Sequence, residues 1–405
     1  MNTHLSLLTI LIVGSAFSAT PRLWTTDIRV DSDCGVYLSG GYAVSQEGIF
    51  SNTQTVGFLT HLHPDGALDR KFSHDGFALI NFGDFSSVRS FLLDKGGLVL
   101  GGSFGALQSF MTRLTLPRGV VDKNFNTLAH KKALKGIDQI VPTSKGLLAI
   151  THSSDCTIPI ELRKFHRNGE PDAAFGESGV VALSTTDFPC SVTAAHIDSK
   201  DRIILIKRKG DTSGITIARF DSKGHSDPSF ANQGTVSLTQ EHFGVRYIWY
   251  RSSVVLKDSL LFEVFTSAHE GRFARLDEFG RLDESFGTHG ILTSPGSTVL
   301  QAHGSSLFNY SYHQNGMGRM FKLDSKGNID PAYGKKGEIT FHWADYDAAP
   351  SFGVCQDSSQ IVPLNMGPYF NPDHDIALVK ITPNGQIDTA FGTEGWVKLK
   401  YDNIN

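Results

Sequence analysis

Charged side chains are scarce in this chain, and they nearly cancel. Asp, Glu, Lys and Arg make up 19% of its 405 residues, with 37 basic against 41 acidic side chains and a formal net charge of −4. No basic stripe or acidic tail breaks that balance, which argues against nucleic acid and anionic membrane as partners. Long apolar runs are missing too. Residues 5–13 form an apolar stretch far shorter than a bilayer requires, so no membrane span is expected. Sustained helical periodicity is absent beyond that stretch, which excludes helical bundles and α-solenoids. There are only 4 cysteines, too few to replace a hydrophobic core with a disulfide scaffold. There is no Gly-rich phosphate loop, no Gly-x-Ser-x-Gly elbow and no closely spaced Cys-His set. On motif grounds no catalytic, cofactor-binding or metal-ligating residue is assigned.

What the chain has is glycine, 41 of them, set into a repeat. Residues 381–397 read Ile-Thr-Pro-Asn-Gly-Gln-Ile-Asp-Thr-Ala-Phe-Gly-Thr-Glu-Gly-Trp-Val, and near-copies lie at 62–72, 165–176, 220–230, 276–287 and 323–334. A degraded copy in register lies at 117–125. The motif glycines, Gly66, Gly119, Gly169, Gly224, Gly280, Gly327 and Gly385, recur at intervals of roughly 50 residues, the period of a four-stranded propeller blade. Between copies the chain alternates short apolar runs with turn residues, as at 77–82, 88–93, 98–102 and 110–116, which predicts four strands per repeat.

The expected fold is therefore all-β, a seven-bladed β-propeller of four-stranded blades. The first repeat opens in mid-blade and residues 396–401 form a strand with no blade after it. The expected closure has this C-terminal strand completing the first blade, which removes exposed sheet edges.

The motif residues have physical roles. A glycine after Asn, Asp or Lys suits a tight turn with positive φ. The following aspartates (Asp69, Asp122, Asp172, Asp227, Asp283, Asp330, Asp388) can accept backbone N–H groups one or two residues on and cap a single helical turn. The aromatics Phe72, Phe125, Phe175, Phe230, Phe286, Tyr333 and Phe391 would fill the gaps between blades.

This motif resembles that of the delta-60 repeat family of bacterial propeller-like proteins, over about residues 24–401. The second copy lacks the trailing glycines, and Tyr333 replaces phenylalanine. The resemblance implies a propeller and an exported or cell-surface habitat. It supplies no reaction, and no catalytic residue carries over.

The N-terminus agrees with that habitat. Residues 1–18 are expected to be a secretory signal cleaved after Ala16 or Ser18, leaving 19–405 as one propeller domain, secreted, periplasmic or on the cell surface. In an oxidising compartment the four cysteines could pair in three ways. Placement favours a local Cys156–Cys190 bridge and a Cys34–Cys355 bridge locking the closure, with four free buried thiols as the alternative.

Thr60-His-Leu-His-Pro-Asp65 looks like a metallohydrolase signature, but its last histidine is replaced by Gly66 and the segment is the ordinary repeat turn. The acidic turns faintly suggest calcium, yet they lack the ligand spacing of an EF-hand loop, so capping is the simpler reading and no cofactor is expected. Four aromatic segments depart from the repeat, at 242–251, 308–313, 341–346 and 368–374. Tyr247 and Trp249 read as blade core. Tyr369, Phe370, Asn371 and His374, in a proline-bracketed insertion, are the candidate binding loop. The functional expectation is a monomeric, non-catalytic propeller binding a protein or glycan on one face. The alternative is an enzyme of glycosidase, lyase or quinoprotein type with its site over the central channel, a placement that leaves no local signature.

Overall fold

The computed structural model describes residues 21–44, 54–73, 75–82, 86–95, 97–104, 108–125, 136–151, 157–186, 188, 192–209, 213–267, 270–294, 299–313, 317–342, 346–348, 351–366 and 376–400. The expected signal segment, Cys156, Cys190 and the candidate loop residues Tyr369, Phe370, Asn371 and His374 lie outside them.

Seven antiparallel sheets follow one another along the chain, spanning 21–80, 87–121, 137–182, 194–239, 249–294, 299–342 and 346–399. Each is a meander whose strands pair in chain order. The inner strands are Pro21–Val30, Ser87–Asp94, Ile137–Pro142, Ala194–Ile197, Trp249–Leu256 and Val299–His303, with blade seven contributing Tyr346–Ala348 and Gly353–Val354. Each inner strand contacts that of the next blade, and Gly353–Val354 meets Pro21–Val30 to complete the ring. The chain is a seven-bladed β-propeller, as the repeat predicts.

The second strands read as continuous apolar runs, Gly146–Thr151 and Ile203–Arg208 among them, because a middle strand is covered on both faces by neighbouring blades. The core is accordingly distributed. Seven apolar clusters occupy the described residues, one at each junction between adjacent blades. The cluster joining blades seven and one contains Leu38, Phe58, Ile361, Leu378 and Phe391.

The closure differs from expectation. The C-terminal strand Trp396–Leu399 pairs with Ile376–Ile381 as the outer strand of blade seven, and blade one is complete with its own Phe77–Ile80. The reason is where the motif sits. In six blades it turns the third strand into the fourth, so the strand after the copy ends that blade instead of starting the next; in the degraded blade two the outer strand Val120–Val121 lies within the copy itself. Among the described residues no strand is shared across the seam.

Side chains close the ring instead. In every copy the motif aspartate accepts the N–H two residues on, from Lys71 at 3.0 Å in blade one to Ala390 at 3.2 Å in blade seven, as expected for a cap. All seven motif aromatics are buried, and each packs against the motif glycine of the following blade. At Gly280 an added methyl would stand 2.8 Å from Phe230 and would also have to adopt φ +78°. The last interval obeys the same rule, because Phe391 of blade seven packs on Gly66 of blade one. The Gly392 N–H also donates to the Asp65 carbonyl at 2.7 Å. Gly280→Ala is expected to destabilise by about 2–3 kcal/mol through strain plus overpacking. Gly244→Ala, at φ +63° with open space around it, should show the strain alone, about 1 kcal/mol. Urea unfolding of both variants separates the two contributions, and equal losses would mean the aromatic contact contributes nothing.

One recurrent residue has no role in the sequence reading. A basic side chain directly precedes six of the seven motif copies and in each of those blades reaches the motif aspartate. These pairs are His61–Asp69 at 2.9 Å, Lys164–Asp172 at 3.7 Å, Arg219–Asp227 and Arg275–Asp283 at 2.8 Å, Lys322–Asp330 at 3.1 Å and Lys380–Asp388 at 3.4 Å. In the degraded blade two, Arg113 turns to Asp94 at 4.0 Å instead. Several of these cations also donate to a backbone carbonyl of the next blade. Lys164 reaches Ser222, Arg219 reaches Glu278 and Arg275 reaches Ser325. Lys380 reaches Pro64 at 3.3 Å, across the seam. The same seam carries the Cys34–Cys355 disulfide, with Cα atoms 5.2 Å apart, as the sequence placement anticipated.

Candidate functional site

Inner strands all run in one sense, so the two ends of the central channel differ. At the end where each inner strand turns into its second strand lies an open cavity of about 500 Å³. Blade one contributes Ile28, Arg29 and Val30, and blade four contributes His196 and Ile197. The rest of the wall is Ser253–Val255 from blade five, Gln301 and Ala302 from blade six and Phe352–Val354 from blade seven.

Two polar clusters line this wall. Arg29 donates to Asp27 at 2.5 Å and to the Ile28 carbonyl at 2.8 Å, and lies 5.6 Å over the Phe91 ring. Burial raises the Asp27 carboxyl pKa above its ordinary value, with the Arg29 charge opposing. Across the ring, His196 Nε2 lies 2.5 Å from Ser253 Oγ, which is 2.6 Å from the Tyr250 hydroxyl. Burial raises the Tyr250 phenol, so it keeps its proton. Burial also pushes the His196 imidazole down to about 4, so it is neutral at physiological pH. A serine beside a neutral imidazole resembles a nucleophile–base pair. Among the described residues, however, no carboxylate hydrogen-bonds His196, and Tyr250 occupies the other side of Ser253.

His196 makes a pH-dependent contribution whose sign follows from the depressed value. Between about pH 6.5 and about pH 4 the unfolded chain takes up a proton that the folded ring refuses, so stability is full above this window and falls as pH drops through it. The loss across the window is expected to be about 2 kcal/mol. Urea midpoints at pH 7 and 4.5 for wild type and His196→Gln check this. A parallel pH dependence in the variant would show that His196 is not its source.

The opposite end carries the aromatic surface. Tyr247, in the connection from blade four to blade five, is 52% exposed, and Trp249, the first residue of the inner strand of blade five, is 43% exposed. This corrects their reading as blade core. Ile248, fully buried between them, takes the core position, and alternation turns its neighbours outward. Arg208 ends the second strand of blade four and lies 4.1 Å over the Trp249 ring. Arg251 lies 4.7 Å over Phe265, the cross-strand partner of Trp249. The aromatic segment at 308–313, by contrast, supplies Phe308 and Tyr310 to the core, and Phe341 joins them. His61 is engaged by the motif aspartate Asp69, so the metallohydrolase-like segment is a repeat turn as read. Among the described residues no three His, Cys, Asp or Glu side chains converge as metal ligands.

These features define the chain as a β-propeller with a cavity at one end of its channel and an aromatic–arginine rim at the other. No protein-family profile matches the sequence, and no characterised protein matches it either. Solved structures do resemble it. A puromycin hydrolase is 12% identical with a TM-score of 0.52, the match covering 91% of this chain and 53% of the hydrolase. This chain therefore spans about half of that protein. The β-propeller domain of the Trilobed protease from Pyrococcus furiosus is 8% identical, with a TM-score of 0.47 and coverage of 91% and 97%. The WD40 propeller domain of Doa1 is 11% identical, with a TM-score of 0.45 and coverage of 86% and 90%. At such identities the likeness is one of fold.

Proposed function

We propose that this chain is an exported, non-catalytic propeller of the delta-60 repeat type that binds its ligand on the channel rim between blades four and five. The observation that carries the reading is the rim itself. Exposed Tyr247 and Trp249 stand beside Arg208 and Arg251 on a rigid ring, a composition typical of recognition surfaces. Export is supported by the Cys34–Cys355 bridge, which belongs to an oxidising compartment, and by the apolar stretch at residues 5–13.

Two measurements test this. Expressed from its own start, the chain should appear outside the cytoplasm, shortened after Ala16 or Ser18, with Cys34 and Cys355 linked in a non-reduced peptide map. Retention at full length in the cytoplasm would sink the export reading. Incubation with glycan and peptide libraries should yield binding with no new product. Conversion of any library member, abolished by Ser253→Ala, would replace this reading with an enzyme acting in the channel.

A further inference from the structure

We infer that the rim between blades four and five is a subsite for an acidic glycan, a pyranose chain bearing carboxylates. This rests on the binding reading above and specifies its ligand. The first support is electrostatic. Most guanidiniums of this protein have a carboxylate partner, as Arg89 has Asp138, Arg163 has Glu161 and Arg319 has Glu338. Arg208, over the Trp249 ring, Arg251, over its cross-strand neighbour Phe265, and Arg246, next to Tyr247 in sequence, have none among the described residues, although the chain as a whole carries a net charge of −4. Glu263, in the strand paired with that of Arg251, is fully buried and accepts a hydrogen bond from Asn309 of blade six. Glu241, exposed on the short helix Gln240–Phe243, is the acidic side chain nearest in sequence to Arg246. Among the described side chains of the rim, cations outnumber anions, within a protein of net negative charge.

The second support is geometric. Arg208 and Arg251 are each laid over an aromatic ring, an arrangement that holds the planar guanidinium while leaving N–H groups at its edge for a bidentate oxyanion. The exposed Trp249 and Tyr247 supply flat apolar surface of the kind a pyranose ring covers with its C–H face. Cations held beside flat rings match a polymer that presents one ring and one carboxylate per unit. An acidic peptide would use the guanidiniums and leave the rings uncovered. A single-stranded nucleic acid could use both, so it enters the test as a competitor.

The experiment is calorimetry at low salt on the disulfide-bonded chain with short oligogalacturonides. Fully methyl-esterified oligogalacturonides, an oligoglutamate and an oligothymidylate are run alongside. The free-acid glycan is expected to bind, and each of the other three about tenfold or more weakly. Arg208→Gln, Arg251→Gln and Trp249→Ala should each weaken the free acid by about tenfold or more while melting like wild type. Trp249→Phe should recover most of the loss from Trp249→Ala. Equal binding of the methyl ester, stronger binding of the peptide or oligothymidylate, or unchanged binding in the two arginine variants would each overturn the acidic-glycan assignment. If a neutral glycan or a peptide binds and Trp249→Ala abolishes it, this inference fails while the binding reading stands. If the oligogalacturonide is cleaved, both fail.

Discussion

Replacing Cys34 and Cys355 together with serine is expected to destabilise the folded ring by about 4–5 kcal/mol, the largest effect of any change considered. The bridge joins residues separated by 321 positions, and on the chain-entropy account a loop longer than about 100 residues gives close to 5 kcal/mol. Its placement adds a second reason. Among the described residues no strand crosses the seam between blades seven and one. That junction therefore rests on apolar packing, the Lys380 and Gly392 hydrogen bonds to blade one, the hydrogen bonds from the Thr25 N–H and hydroxyl to Asn365 Oδ1, and this covalent link. Urea unfolding of the double variant against wild type, each with and without reductant, reads the effect. Reductant should bring wild type to the level of the variant and leave the variant unchanged. A loss under about 1 kcal/mol would show that the packed seam holds the ring without the bridge.

Removing the Arg219 side chain is the second large effect, expected at about 3–5 kcal/mol. Arg219 is 1% exposed, and its guanidinium bonds Asp227 at 2.8 Å, Ser229 at 3.1 Å and the Glu278 carbonyl in the next blade. It also lies 4.6 Å over the motif aromatic Phe230. Arg219→Ala opens a cavity and strands the Asp227 carboxylate together with a blade-five carbonyl. Burial alone would raise the Asp227 pKa, but the Ser229 hydroxyl and N–H and the Arg219 charge hold it below the usual carboxylate range. The pair therefore contributes fully above the unfolded carboxylate value near 4, and the contribution fades as pH falls through the lower folded value. The gap between wild type and Arg219→Ala should be widest at pH 7 and should narrow below about pH 4. A gap independent of pH would assign the loss to packing alone.

The architecture was legible because its signal is repeated. One copy of Asp-x-x-Phe means little, whereas six in register and a seventh ending in Tyr333 leave few alternatives. The capping aspartates and the buried aromatics follow from the same evidence, as does the Cys34–Cys355 pairing. What failed was phase. Periodicity gives the length of a repeat but not where a blade begins, so the strand after each motif was assigned to the wrong blade and the closure with it. The basic residue directly before the motif was visible at His61, Lys164, Arg219, Arg275, Lys322 and Lys380, but the next-blade carbonyls that Lys164, Arg219, Arg275 and Lys380 reach come within range only once the ring forms. The rim was harder still. Tyr247 and Trp249 flank Ile248 in an ordinary-looking aromatic run, and nothing local says which of the three faces inward. Arg208 belongs to another blade, so its stacking on Trp249 is a product of tertiary structure.

Tyr333 illustrates a departure that became intelligible only in three dimensions. Its hydroxyl donates to Gln360 Oε1 at 2.5 Å, both groups being buried at the junction of blades six and seven. The extra oxygen therefore answers a polar residue in the neighbouring blade and does not loosen the motif.

Whole blades bear on how such a ring can change through descent. When a strand is shared across the seam, adding or losing a repeat must keep two half-blades in partnership. Here every sheet is assembled from contiguous sequence, and each offers its aromatic forward and its glycine backward in the same polarity. A duplicated or deleted segment of one repeat length carries a finished sheet with both of its couplings. The blade is then the unit of inheritance.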